Sequence, residues 1–524
     1  MSSSDKFLRG AMILTVAGLM VKVIGSVNRI LLSRLLGGEG IGLYQMAYPV
    51  YLLLLSVSAA GIPVAISIIV AEYLAQRDYG NVRQVFRVSL RLMAVVGLAL
   101  AGLLVLAAGQ LVEAGVIKDA RAYYALIALT PAIFFATILA SFRGYFQGHQ
   151  LMTPPAVSQI VEQFIRVVTM VVLAYVLLPY GLEYAAAGAA FGAVPGSLTG
   201  LVVLGCFYRY YKKQWHEEQV DLLPNAPLAS KRTLIKRLLL LALPVSLANV
   251  MVPVTSSIDV LLVPRYLIEA GFSVKEATTE YGYLAGMAQP LLLMATIPTM
   301  SLATSLVPAV SEALALNRWQ LIETKIATAM KLCCLITVPA TVGMNALAEP
   351  ISRLLYGTSK AAVAIMHSGP AIWLLGLQQV TTGMLQGVGH TNLPMLHMLA
   401  GIIAKLIAVC QLTNAEYGIA GAAWATNINF GVTALLNILA LQYFKIKFYW
   451  LNIAKIVVAA AVMGAAAQAL HSVLAVYSYT LATLAALAGA GAFYALLLLA
   501  LRVVTREELA ALPIVRKLAR KFSK

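Results

Sequence analysis

Apolar runs follow one another along the whole chain, separated by short polar segments. Each run has roughly 20 residues or more, the length of helix that crosses a hydrocarbon core of ~30 Å. We count fourteen such runs, at about 10–34, 41–70, 88–111, 122–142, 155–178, 185–208, 238–263, 282–310, 326–346, 362–387, 393–411, 419–442, 452–471 and 477–501. The pattern predicts an all-α polytopic membrane protein with fourteen transmembrane helices.

The chain also matches itself at an offset of about 240 residues. The segment "GYFQG" at 144–148 matches "GMLQG" at 383–387, and "AAGAAFG" at 186–192 matches "IAGAAWA" at 419–425. Because six crossings return the chain to the same side, two six-helix repeats would be parallel, an arrangement that is typical of transporters. We therefore expect an N-lobe, a basic cytoplasmic linker, a C-lobe, two appended helices and a basic amphipathic cytoplasmic tail, at 1–208, 209–237, 238–443, 444–501 and 502–524.

Composition and charge agree with a membrane protein. The chain is 61% hydrophobic and 11% charged, with a mean hydropathy of +0.85. Its net charge of +17 comes from Lys and Arg that are concentrated in alternate loops, as the positive-inside rule describes. This bias predicts cytoplasmic N- and C-termini in a bacterial plasma membrane, and contact with anionic lipids rather than nucleic acid. The first run contains Lys22 and is too long for a cleavable signal, so we expect it to be retained.

The sequence has no pattern that is typical of an enzyme, a metal site or a cofactor site. It lacks a phosphate-binding loop, a Ser-His-Asp set, paired carboxylates and His/Cys metal spacing. We therefore expect no cofactor and no catalysis, with transport driven by a gradient, the membrane potential or downstream consumption. The four cysteines lie inside predicted spans, where apolar packing is the simpler interpretation and a redox role the alternative: Cys206, Cys333, Cys334 and Cys410.

Four cations lie deep in predicted spans: Lys22, Arg29, Arg166 and Lys405. Lys22 and Arg29 are seven residues apart, which places them on one helix face. A cation at the bilayer centre costs ~2.5–3.5 kcal/mol, so it faces a cavity or a partner. Both interpretations stay open: a positive cavity for an anionic substrate, or ion pairing, which Glu162 favours for Arg166 at i, i+4.

Other residues are candidates for supporting roles. Asp259 is the second deep acid, and Glu39 lies in a glycine-rich turn after the first span, which it would tether. Prolines interrupt the second, seventh and eighth spans, where they are either bend sites or ordinary kinks. The proposed hinges are Pro49, Pro290 and Pro298, and the other interrupting prolines are Pro63, Pro244, Pro253 and Pro308.

Two segments resemble a known family. They are "LTVAGLMVKVIGSVNRILLSRLLGGEGIGLYQMAYPVYLLLLSVSAAGIPVAISIIVAE" at 14–72 and "SSIDVLLVPRYLIEAG" at 256–271. They look like the polysaccharide-transporter branch of the multidrug/oligosaccharidyl-lipid/polysaccharide exporter superfamily. The resemblance runs the whole length and implies a V-shaped, fourteen-helix flippase similar to the lipid II flippases. It also implies that basic residues of the first span, here Lys22 and Arg29, face the cavity. Lipid II flippases place an arginine in the eighth span, where this chain offers Gln289.

These observations predict an alternating-access flippase that moves a polyprenyl-pyrophosphate-linked sugar, such as a peptidoglycan precursor, from the cytoplasmic to the outer leaflet. One alternative is a cation-coupled multidrug exporter of the same superfamily, which would use deep acids such as Asp259. Another is a scaffold that transports nothing and recruits cell-wall enzymes. The expected partners are the lipid-linked sugar, anionic lipids and cell-wall synthesis enzymes, and we expect a monomer.

Overall fold

The computed structural model describes residues 3–59, 61–219, 228–444 and 450–503. Every secondary-structure element within these ranges is helical. The chain forms two compact units, Met1–Met287 and Ala288–Lys524. Part of the predicted linker and nearly all of the predicted tail lie outside the described residues.

The described part of the first unit holds nine α-helices. They are α1 Ser3–Ala59, α2 Ile62–Ala75, α3 Tyr79–Glu113, α4 Ala122–Gly148, α5 Thr153–Leu177, α6 Leu182–Phe191, α7 Ala193–Gln219, α8 Lys231–Glu269 and α9 Val274–Tyr281. A 3₁₀ turn at Leu178–Tyr180 follows α5, and a π-helix at Gly282–Ala288 follows α9 across the boundary between the units.

Helix α1 contains the first predicted span and the beginning of the second. The two parts join at Gly37, whose φ of 67° lies in the left-handed region that glycine adopts without steric cost. The second span is interrupted between Ala59 and Ile62, directly before Pro63. Pro49 lies inside α1 and the helix continues past it, so its role as a hinge stays a prediction. Likewise, α8 is assigned as one helix through the prolines of the seventh span.

The described part of the second unit holds ten α-helices. They are α10 Gln289–Ala295, α11 Ile297–Ala315, α12 Trp319–Ala346, α13 Ala348–Tyr356, α14 Ala362–Ser368, α15 Pro370–Gly387, α16 Asn392–Leu412, α17 Gly418–Tyr443, α18 Trp450–Leu474 and α19 Tyr479–Ala500. The chain bends by 46° at Thr296, between α10 and α11. Pro290 lies in the first turn of α10 and Pro298 in the first turn of α11, so both border this bend.

The described residues contain 11 helical segments that are long and apolar enough to cross a membrane, or 12 if the bent pair counts as one span. The prediction of fourteen spans is compatible with this number. The segment Val16–Ala75 contains two predicted spans, and α14 and α15 together cover the tenth. The chain is therefore a multi-pass, all-helical membrane protein.

Equivalent glycines make equivalent contacts in the two repeats, which confirms the internal repeat. A Cβ on Gly144 would lie 2.7 Å from the carbonyl oxygen of Pro63, and one on Gly383 would lie 2.7 Å from that of Ala303. These close contacts hold α4 against α2 and α15 against α11. A second pair follows the same rule, Gly148 against Val70 and Gly387 against Val310.

Each unit has its own hydrophobic core. In the first unit one core lies among α2, α3, α4 and the start of α8, and a smaller one joins α4 to α7. In the second, a core among α11, α12, α15, α18 and α19 includes Cys333 and Cys334, which are buried as the packing interpretation predicts, whereas Cys206 and Cys410 are exposed. Helices α8 and α9 belong to the first unit by contact, whereas the repeat comparison assigns them to the C-lobe. The lobe boundaries read from the repeat stay a prediction.

Candidate functional site

A carboxylate between two guanidinium groups lies at the centre of the first unit's polar interior. Glu162 on α5 accepts from Arg166 at 2.8 Å, the i, i+4 pair that the spacing suggests. Its other carboxylate oxygen accepts from Arg143 on α4 at 2.6 Å. The three side chains are 13–20% exposed, so the attraction acts in a largely desolvated environment.

Both arginines keep hydrogen-bonding capacity. The Nε atoms of Arg143 and Arg166 are buried without a hydrogen-bond partner among the described residues. A guanidinium has five N–H donors in a planar fork and can therefore bind a further oxyanion while it pairs with Glu162.

A cavity of ≈ 270 Å³, here called the arginine cavity, opens beside this cluster. Its polar wall consists of Arg143, Glu162 and Arg166 together with Tyr51, and its apolar wall comes from α1 and α4. The volume is below the ~300 Å³ lower limit of ordinary ligand pockets, so it suits a group the size of a diphosphate rather than a whole lipid-linked sugar.

Three tyrosines connect the arginine cavity to the cation of the first span. Tyr44 and Tyr48 stack with ring centroids 5.3 Å apart, and Tyr48 and Tyr51 lie 5.8 Å apart. The guanidinium carbon of Arg29 lies 5.7 Å from the centre of the Tyr48 ring, within cation–π range. The buried Tyr44 interacts electrostatically with both Arg29 and Arg166. Arg29 therefore belongs to the same polar region as the Arg143–Glu162–Arg166 cluster.

The first part of α1 packs on α5, which explains how Arg29 comes close to this cluster. Asn28 Nδ2 lies 3.3 Å from the sulfur of Met170, and a Cβ on Gly25 would lie 3.2 Å from Gln163 Nε2. Lys22 is exposed, whereas Arg29 is half-buried. At ~1.5 Å per residue the two lie roughly 10 Å apart along the helix.

The second deep acid lies near the same region. Asp259 on α8 is 2% exposed, and it interacts electrostatically with the Tyr281 phenol, as Arg29 does. Of these ionisable groups of the first unit's membrane segments, four are cations (Lys22, Arg29, Arg143 and Arg166) and two are carboxylates (Glu162 and Asp259). The region is therefore positively charged overall.

The π-helix after α9 is held by side chains of α1. Gln45 Nε2 donates to the carbonyl oxygen of Ala285 at 2.6 Å, and the Ser33 hydroxyl donates to that of Gly286 at 3.2 Å. A π-helix shifts the backbone hydrogen-bond pattern and is often found at functional positions. These bonds attach residues 285 and 286 of the π-helix to α1, the helix that carries Lys22 and Arg29.

Glu39 tethers the turn after the first span. It pairs with Arg121 at 2.6 Å and with Lys275 at 3.4 Å. Arg121 also binds Asp119 at 2.8 Å, and the Thr278 hydroxyl donates to Asp119 at 2.8 Å. Burial alone would raise the pKa of Asp119, but the bonds from Arg121 and Thr278 hold it below the usual value. The network joins α1, the α3–α4 turn and α9.

The remaining predicted site residues belong to the second unit. Lys405 on α16 is 1% exposed, so its side chain is enclosed by protein rather than lining an open surface. Gln289 is half-buried at the first position of α10.

Sequence reasoning missed Arg143 and the three tyrosines. The positive-inside pattern places Arg143 with the cytoplasmic cations at the end of the fourth span, yet its side chain binds Glu162. The spacing of Tyr44, Tyr48 and Tyr51 at i, i+4 and i+7 was the available signal, because it places all three rings on one helix face.

Comparisons with known proteins agree with this architecture. A family model described as polysaccharide biosynthesis protein matches residues 7–314, and one described as MatE matches 284–409. Stage V sporulation protein B of Bacillus subtilis is 33% identical over 98% of this chain and 99% of that protein. Lipid II flippase MurJ of Bacillus subtilis is 26% identical over 77% of each chain.

Solved structures share the fold at low sequence identity. The inward closed conformation of lipid II flippase MurJ superposes with a TM-score of 0.69 at 15% identity, over 94% of this chain and 99% of that chain. An inward-facing multidrug resistance MATE transporter of the MOP superfamily reaches 0.66 at 15% identity, over 83% of this chain and 98% of that chain. The chain belongs to the polysaccharide biosynthesis protein family.

Proposed function

We propose that this protein is a transporter of the MOP superfamily, a flippase that moves a polyprenyl-pyrophosphate-linked sugar from the cytoplasmic to the outer leaflet of the bacterial plasma membrane. The observation that carries the proposal is the excess of cations in the first unit, where Arg29, Arg143 and Arg166 belong to one polar region among apolar helices. Relatives named as a lipid II flippase and a sporulation protein support a cell-envelope substrate.

A diphosphate is the group that suits this charge. Two guanidinium groups and the cation of Arg29 can offset its charge, and planar N–H forks match phosphate oxygens in bidentate geometry. Glu162 would hold Arg143 and Arg166 in place between transport events and prevent their mutual repulsion. Lys22, two turns along α1, would contact the same headgroup at its other end. The polyprenyl tail would stay in lipid.

The first test is binding of a polyprenyl-diphosphate disaccharide to the purified protein, measured by native mass spectrometry. We expect the Lys22→Ala/Arg29→Ala double variant to lose at least about tenfold in affinity, because each lost ion contact to a phosphate contributes more than a neutral hydrogen bond. The matched control is Arg265→Ala/Lys360→Ala, which removes two exposed cations elsewhere. Equal affinity in the wild type and the first variant would overturn the proposal.

A second function has one observation in its favour. The fold is shared with a multidrug resistance MATE transporter, and Asp259 is a buried acid that a cation-coupled exporter could use. If Asp259→Asn abolished transport of a drug-like cation while Lys22→Ala/Arg29→Ala transported it normally, this alternative would replace the flippase.

The proposed orientation has both termini in the cytoplasm. The positive-inside distribution supports that orientation. A protease-protection experiment on tags at the two ends tests it, and cleavage of either tag from outside intact cells would contradict it.

A further inference from the structure

A second cavity, of ≈ 470 Å³, lies within the second unit, and we call it the Tyr479 cavity. It is formed where α12 and α18 end and where α13, α14 and α19 begin. Its polar side is lined by Asn345, Glu349, Gln468, His471, Ser472 and Tyr479. Its apolar side includes Val363 and Met366, which are 47% and 40% exposed. The volume lies in the ~300–1,000 Å³ range of small-molecule sites.

The aromatic residue of this cavity is held in a defined position. The guanidinium carbon of Arg353 lies 5.0 Å from the centre of the Tyr479 ring, and the His471 ring meets it edge-on at 5.0 Å. His471 Nε2 is itself 3.2 Å from the Thr483 hydroxyl. A ring whose neighbours restrict it loses little conformational entropy when a ligand binds.

The charges around the cavity cancel, which distinguishes it from the arginine cavity. Glu349 pairs with Arg353 at 2.6 Å, and Arg353 is not part of the cavity wall. The other polar side chains on the wall are amides, a hydroxyl, an imidazole and a phenol. A phosphate or diphosphate would therefore find no uncommitted cation there, whereas an uncharged ligand with many hydroxyl or amide groups would find several donors and acceptors.

The wall places an aromatic face, the Tyr479 ring, beside several hydrogen-bonding side chains and the apolar Val363 and Met366. A sugar ring combines outward hydroxyl donors with an apolar C–H face that packs on aromatic rings.

From the neutral polar wall, the fixed Tyr479 ring and the volume, we propose that the Tyr479 cavity is a binding site for an uncharged sugar of one or two rings. The site is separate from the arginine cavity and would bind a free sugar whether or not that cavity binds a diphosphate. The same hydroxyl chemistry occurs in a glycerol lipid headgroup, so the test must distinguish the two sources.

The probe is di-N-acetylchitobiose, added to the full-length protein in phosphatidylcholine nanodiscs and followed by saturation-transfer NMR. We expect saturation transfer to the disaccharide and a roughly tenfold weaker affinity in Tyr479→Ala. The matched control is Tyr477→Ala, which removes a tyrosine that is 87% exposed two residues away and outside the wall. Tyr479→Phe retains the ring and is expected to bind nearly as well as the wild type, which separates loss of the ring from misfolding.

Three results would overturn the proposal. One is the absence of saturation transfer, or equal affinity in Tyr479→Ala and the wild type. A second is displacement of the disaccharide by glycerol phosphate, which would assign the cavity to a lipid headgroup. A third is loss of disaccharide binding in Lys22→Ala/Arg29→Ala with Tyr479→Ala unaffected, which would place the sugar in the first unit and leave the proposed flippase intact.

Discussion

Gly401 stands in the second repeat where Glu162 stands in the first. In the first unit, Glu162 packs against a glycine of α7: a Cβ on Gly196 would lie 3.0 Å from the Glu162 carbonyl oxygen. In the second unit the small residue is on the other helix, and a Cβ on Gly401 would lie 2.7 Å from Asn429 Oδ1 of α17. In the first repeat the polar residue, Glu162, is on α5 and the glycine is on α7. In the second repeat the glycine, Gly401, is on α16 and the polar residue, the amide Asn429, is on α17. The carboxylate–arginine cluster is therefore a property of the first repeat.

The first prediction concerns the charge of Glu162. Glu162→Gln keeps the size of the side chain but leaves Arg143 and Arg166 facing each other without the carboxylate they bind. Removing one partner of a buried ion pair costs about 3–5 kcal/mol, so we expect a clear fall in the midpoint of thermal unfolding. In a background where the exposed Cys206 and Cys410 are replaced by Ser, a thiol-reactive dye that reports exposure of the buried Cys333 and Cys334 measures this midpoint in detergent.

The matched control for this change is Glu72→Gln. Glu72 also pairs with an arginine, Arg237, but both side chains are more than 40% exposed, and such pairs contribute at most about 1 kcal/mol. Similar shifts in the two variants would show that burial does not strengthen the Glu162 cluster.

The helices and the repeat were predictable because run length and internal offset are patterns along one dimension. An alignment of the two repeats does not reveal cases in which two contacting residues have swapped places between their helices. Gly97 of α3 lies against Thr137 of α4, whereas the equivalent contact in the second repeat joins Thr337 of α12 to Gly376 of α15. Each position compared alone looks like an unrelated substitution, and only the contact shows that one small residue is kept in each pair.

The members of the site were only partly predictable. Lys22, Arg29, Arg166 and Glu162 stand out because charge inside an apolar run is costly. Arg143 does not, because a cation at the cytoplasmic end of a span satisfies the positive-inside rule whatever its side chain binds. A partner on another helix decides its role, and that partner is visible only in three dimensions.

The second prediction concerns the ring under Arg29. Tyr48→Leu removes the cation–π contact, which contributes about 0.5–1 kcal/mol at a partly exposed site, so we expect a two- to fivefold weaker affinity for a polyprenyl-diphosphate sugar. Tyr48→Phe keeps the aromatic face and is expected to bind as the wild type does. Native mass spectrometry titrations compare the three proteins. Equal weakening by Phe and Leu would assign the effect to the tyrosine hydroxyl instead.

The third prediction concerns pH and the Asp119 network. The pKa of Asp119 lies below its usual value of 3.8, so the fold favours the charged form. The stabilisation is therefore complete above that value and is lost as the pH falls through the lowered pKa. We expect Asp119→Asn to unfold at a lower temperature than the wild type at neutral pH, with a difference that shrinks below pH 3.8. Glu113→Gln, at an exposed position nearby, should show no such difference, and a constant gap for Asp119→Asn would contradict the argument.

The fourth prediction concerns His149, directly after α4. Burial lowers its pKa to about 4, although the Tyr145 carbonyl, 2.9 Å from Nδ1, opposes the shift. The unfolded chain takes up a proton near pH 6.5 and the folded chain only near 4, so stability falls as the pH drops through this interval, by at most ~1.4 kcal/mol per pH unit. Between neutral pH and about pH 5, the midpoint of thermal unfolding should fall with pH in the wild type. In His149→Gln this dependence on pH should disappear. The control is His390→Gln at an exposed position, and it should unfold with the same pH dependence as the wild type.

The last prediction concerns the bend at Thr296. Pro298 has no N–H to donate to the carbonyl of Met294, so the helical hydrogen bonds are interrupted where α10 and α11 meet at 46°. Pro298→Ala restores the donor and favours a straighter helix, and we expect several-fold slower flux of a fluorescent lipid-linked sugar across proteoliposomes. Pro49→Ala is the matched control, because α1 passes Pro49 without a break and its flux should change less. Equal slowing by the two substitutions would show that the bend is not where the transporter moves.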